Sequence, residues 1–138
     1  MFLREGQMIQ LRSGPLLATI SSGVQVVIQG PATLRIDAGD TLFLQSGRIT
    51  ISVPRQASGF IVESPVARFI DLGPEFTVDI QPQSHCELHV FSGLVEMQPN
   101  DSRHADQLRV PEGRAIQYDA ASGAFVTLPY HEDERLSL

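Results

Sequence analysis

The stretch SGRITISVP, residues 46–54, decides how this chain folds. Ile49, Ile51 and Val53 alternate with Arg48, Thr50 and Ser52, the period-two pattern of a strand that buries one face. Glycine opens the stretch and proline closes it. Glycine takes the positive φ that a tight turn needs, serine bonds the turn backbone, and proline removes a ladder donor. The same module returns as SGFIVESP at 58–65, SGLVEMQP at 92–99 and SGAFVTLP at 122–129, with a fainter copy, SGVQVVIQGP, from Ser22 to Pro31.

Outward from these modules the alternation continues. Phe76, Val78 and Ile80 oppose Glu75, Thr77 and Asp79, and Cys86, Leu88 and Val90 oppose Glu87, His89 and Phe91. Strands are expected at 7–12, 15–20, 24–29, 32–36, 41–45, 47–53, 59–63, 66–71, 75–80, 85–91, 93–98, 107–110, 113–118 and 124–128. Helical periodicity is not evident. The fold class is therefore all-β, a single domain of stacked short strands arranged as a solenoid-like stack or a two-sheet sandwich. The Ser-Gly spacing is irregular, which disfavours a strict solenoid. Residues 1–130 read as the domain, PNDSRHAD at 99–106 as an exposed loop, and 131–138, with three consecutive acids, as a frayed acidic tail.

The 138 residues carry a formal charge of −6, and all ten basic residues are arginine, spread from Arg4 to Arg135 without a cluster. No electrostatic footprint for nucleic acid results. No apolar run reaches membrane-spanning length and the start lacks a signal-peptide stretch. Cys86 is the single cysteine, so no internal disulfide is available.

Three sets of residues invite a chemical reading. The Ser-Gly serines lack the G-x-S-x-G elbow of a hydrolase nucleophile, and turn chemistry accounts for all of them. HCELH at 85–89 places His85, Glu87 and His89 on one strand face, about 7 Å apart in succession, where two imidazoles and a carboxylate would begin a metal site of a cupin-like β-barrel. The competing reading is a solvated face, with Cys86 packed inward, and His104 and His131 lie in polar segments without fixed geometry. In FIDLGPEFTV at 69–78, Asp71 and Glu75 flank Leu-Gly-Pro; alternation turns Glu75 outward and lets Asp71 be partly covered beside Phe69 and Ala67. An exposed turn is the plainer reading than an acid–base pair. A glycan module is disfavoured because tryptophan is absent and only Tyr118 and Tyr130 offer phenol rings.

The segment FIVESPVARFIDLGPEFTVDI, followed by ELHVFSGLVEMQP and LRVPEGRAIQYD, resembles the FecR-like domain, the extracytoplasmic portion of bacterial iron-dicitrate-type signal regulators. The matching positions are Phe60, Val62, Pro65, Leu72, Gly73, Phe76, Val78, Val90, Gly93, Val95 and Gly113, with Asp71, Leu72, Gly73, Pro74, Glu75 and Phe76 forming the signature turn. The resemblance spans most of residues 20–120. It implies an all-β domain outside the cytoplasmic membrane that relays a signal by contacts with protein partners at the cell envelope, without catalysis or cofactor. The anti-sigma segment and membrane helix that precede this domain in better known members are not in this chain, so membrane attachment is expected only through segments outside it. Relatives commonly carry threonine where this chain has Pro74, which stiffens the turn and deletes an N–H.

Overall fold

A computed structural model describes residues 1–81, 84–101 and 107–137. The strands are β1 (Phe2–Leu3), β2 (Met8–Leu11), β3 (Pro15–Ile20), β4 (Gln25–Ala38), β5 (Thr41–Ser52), β6 (Ile61–Glu63), β7 (Ala67–Asp71), β8 (Glu75–Gln81), β9 (His85–Ser92), β10 (Leu94–Pro99), β11 (Leu108–Pro111), β12 (Arg114–Asp119) and β13 (Ala124–Leu128). They form one sheet with the path β11-β10-β7-β6-β5-β8-β9-β12-β13; β4 joins β5 on its other edge and in turn carries β2 and β3.

The sheet folds over itself because β4 and β5, the longest hairpin, bend at the same level. In β4 the pairing with β5 breaks between Gln29 and Thr33, around the cis Gly30–Pro31 bond. In β5 the bend is Gly47, at φ +113°; a Cβ there would stand 2.5 Å from the Ala32 Cβ. Below the bend, Arg48–Ser52 of β5 pair with β8; above it, Thr41–Phe43 pair with β6. One sheet thus supplies both layers, the usual way a strand turns a corner between sheets. Ile28, Ile49, Phe76 and Leu88 from one half and Leu34, Leu42, Phe60, Phe69 and Met97 from the other share one inaccessible cluster. Each such side chain contributes about 1.5–3 kcal/mol by leaving water.

All six Ser-Gly glycines, Gly14, Gly23, Gly47, Gly59, Gly93 and Gly123, have positive φ, as the turn reading requires. The proline rule fails once. Pro31 lies inside β4, so the expected strands 24–29 and 32–36 are one, as are 41–45 and 47–53. The cis bond sits in the bulge, where no ladder donor is missed. With unequal connections and a folded hairpin, the two-layer arrangement replaces the solenoid. Part of the 99–106 loop, with His104, falls outside the described residues.

The segment after β13 is not frayed. It forms a 3-10 turn at Glu132–Glu134 and lies against the outer face of β5, β8 and β9. The sequence around it is polar, and its ordering comes from partners more than forty residues away.

Candidate protein-interaction surface

The signature turn sits where the chain crosses between the layers. β7 pairs with β10 and β8 pairs with β9, so the β7-to-β8 connection (Leu72–Pro74) and the β9-to-β10 connection (Gly93) run side by side. Leu72 N–H donates to the Leu94 carbonyl at 2.8 Å. A Cβ on Gly73 would lie 2.3 Å from Gly93 Cα, and one on Gly93 would lie 2.3 Å from Gly73 Cα and 2.8 Å from the Pro74 ring. The β11-to-β12 connection is the next in the row: Glu112 N–H donates to the Gly93 carbonyl at 2.9 Å, and Gly113 N–H to Val90 at 2.9 Å. On the other side Val53 N–H donates to the Pro74 carbonyl at 2.8 Å. The Leu-Gly and Ser-Gly pairs of the resemblance are therefore close-approach glycines between adjacent crossovers.

Asp71 is more covered than its sequence context suggests, 1% exposed. Its Oδ1 accepts from Gly73 N–H at 3.0 Å, which holds the turn, while Oδ2 has no hydrogen-bond partner among the described residues. Burial pushes this carboxyl up to about 6, opposed by the Gly73 bond. Glu75 points outward as expected; it accepts from Ser52 Oγ at 3.1 Å and forms an ion pair with Arg135, whose Nε is 2.7 Å away. The two carboxylates thus end β7 and begin β8 in different environments, one buried and one partly exposed, and the geometry makes no acid–base pair of them. A cleft of about 480 Å³ lies beside the turn, walled by Val53, Pro54, Leu72 and Pro74.

His85, Glu87 and His89 do share one face, but it is not a solvated one throughout. His89 is 3% exposed; its Nε2 bonds Glu87 Oε1 at 3.0 Å and its buried Nδ1 has no partner among the described residues. His85 Nδ1 instead meets Ser84 Oγ at 2.9 Å. Among the described residues no three histidine, cysteine, aspartate or glutamate side chains converge to hold a metal. Glu87 also lies 3.9 Å from Arg48. Cys86 is fully buried, as expected, and burial pushes its thiol up to about 12. Tyr118 is buried against Phe125, which takes it out of consideration as a sugar platform.

Four strands pair on one side only among the described residues: β1, β2, β11 and β13. β13, AFVTL, carries no charge, no proline and no bulge, the devices that usually protect an edge. Val126 is 49% exposed. Between β11 and β13 runs a groove of about 410 Å³ with Leu108, Val110, Ile116 and Phe125 along it and Arg109 and Arg114 beside them. Sequence reading found the strands but had no signal for which of them would be the edge.

No known protein-family model and no curated protein matches the chain. The fold is similar to that of two crystal structures of a candidate anti-sigma factor from Parabacteroides distasonis ATCC 8503. They superpose with TM-scores of 0.74 and 0.75 at 19% and 18% sequence identity, over 90% of this chain. The chain spans 60% of the length of each of those two.

Proposed function

We propose that this chain is a non-enzymatic, extracytoplasmic protein-interaction or sensor module of the FecR type, acting in transmembrane signalling through contact with a protein partner at the cell envelope. The likeness of its fold, over nine tenths of its length, to structures described as a candidate anti-sigma factor carries this reading. Two matching positions of the resemblance support it: Gly73 and Gly93 are where the crossovers require glycine. Membrane attachment belongs to segments outside this chain, and iron-dicitrate regulation is the version of the signalling role that the resemblance suggests.

The contact surface in this reading is the β13 edge with the groove beside it. Main-chain groups of an added strand would pair with β13, and alternate apolar side chains would enter between Val110 and Phe125. Photo-crosslinking in the native host tests this. A photoreactive residue at Val126 is expected to give one discrete protein adduct, accessible to protease added outside the cytoplasmic membrane, and the same residue at Arg12 none. Equal adducts from both positions, or an adduct protected inside the cytoplasm, would overturn the reading.

A further inference from the structure

The outer face of β5, β8 and β9 is covered by the segment that follows β13. Cross-strand neighbours set three rows across it: Arg48 beside Asp79 and Glu87, Thr50 beside Thr77 and His89, and Ser52 beside Glu75. Residues 130–136 lie over these rows. Arg48 Nη2 donates to Glu134, while its Nη1 holds Asp79 at 3.0 Å. Thr50 Oγ1 and Thr77 Oγ1 are 2.6 Å apart; Thr77 donates to the Glu134 carbonyl at 3.1 Å and Thr50 accepts from Leu136 N–H at 2.9 Å. Arg135 Nε meets Glu75 at 2.7 Å, and its guanidinium stacks 4.7 Å from the Phe91 ring centroid.

This contact set reads a sequence. Two bonds grip the backbone of the covering segment, a cation takes its acidic residue, and a carboxylate with an aromatic face takes the basic residue that follows. Yet Glu134 and Arg135 keep 41% and 36% of their side chains in water, and no residue of the Glu132–Glu134 turn is buried. The seat is pre-formed by core strands, whereas the segment is held by partly exposed polar bonds of modest net strength. A segment held that way opens far more readily than the strands beneath it.

We propose that this face is a docking site for an extended partner segment carrying an acidic residue followed directly by a basic one, and that residues 130–136 occupy the site in cis until such a segment displaces them. The site is distinct from the β13 edge and independent of the signalling reading.

The test uses the full chain and, as probe, a fluorescein-labelled peptide of residues 130–137. The double variant Glu134→Ala, Arg135→Ala, with an unchanged β-type circular dichroism spectrum, is expected to bind the peptide at least about tenfold more tightly than the wild type does. A further Arg48→Ala change is expected to lose that gain, as is a peptide with alanine at both charged positions. Equal binding by the wild type and the double variant overturns the proposal. Hydrogen exchange on the wild type gives a second readout that needs no variant. The Leu136 amide is expected to exchange through a local opening well before the β8 amides; exchange together with β8, by global unfolding, overturns the proposal as well.

Discussion

Gly73 and Gly93 meet backbone to backbone, with no room for a side chain on either: a Cβ added to one would stand 2.3 Å from the Cα of the other. Two crossovers between the layers are thereby packed as closely as chains can be, and a third lies against Gly93. Gly73→Ala and Gly93→Ala are each expected to cost about 3 kcal/mol or more, because the obstacle is backbone and cannot rotate away. Gly113 has a similar φ, +79°, but open space around its Cβ position. Gly113→Ala should cost only about 1–2 kcal/mol in urea unfolding, and equality of Gly93→Ala with it would refute the close-packing account.

Asp71 makes stability depend on pH in a defined window. Its folded carboxyl titrates at about 6 rather than near the ordinary 3.8, so the folded state resists ionisation. The contribution is neutral below about pH 4, turns against the fold as pH rises to about 6, and is constant above that. Two units correspond to roughly 3 kcal/mol. Asp71→Asn keeps the acceptor for Gly73 and removes the ionisation. Relative to wild type it is expected to gain stability between pH 4 and 6.5 by about 2–3 kcal/mol; a difference that stays flat with pH contradicts the assignment.

Cys86 is shielded by the fold and its thiol is held far above the pH of ordinary labelling reactions. A disulfide reagent at pH 8 should label the native protein only as fast as it unfolds, and the denatured protein at once. Rapid native labelling would show that β9 is not packed as described.

Arg48 stands among Asp79, Glu87 and Glu134. Its removal leaves three carboxylates facing one another on a partly covered surface. Arg48→Ala is expected to destabilise the chain by about 1–3 kcal/mol and to speed tryptic cleavage after Arg135 relative to wild type under native conditions. Unaltered cleavage would mean that Arg48 does not hold the segment.

Much of this fold is legible in the sequence because alternation reports burial directly: the inward residues of β5, β8 and β9 are those that the period-two pattern selects. What could not be read is what depends on distant partners. Pro31 looks like a strand stop because its neighbours do not reveal the bulge that lets β4 run through it. Thr77 reads as solvated because the segment that covers it follows more than forty residues later. The same distance made HEDER look frayed: Glu134 finds Arg48, and Arg135 finds Glu75 and Phe91, only after the sheet has formed. Of the candidate sites, the DLGP turn stood out from its residues, but its reason, the meeting of two glycines, needed the crossovers side by side. The β13 edge had no signal at all, since edge and interior strands share one alternation.

The role proposed for this chain is regulation by binding a protein partner through β13. Its most direct test is transcript profiling of the native host after replacing the chromosomal copy with Val126→Arg, a change on an exposed position that leaves the core intact. The account predicts altered expression confined to promoters read by one alternative sigma factor, matching the profile of a deletion of the whole gene. Identical transcripts in wild type and deletion would contradict the signalling role, and a deletion profile that Val126→Arg fails to reproduce would contradict the β13 edge as its surface.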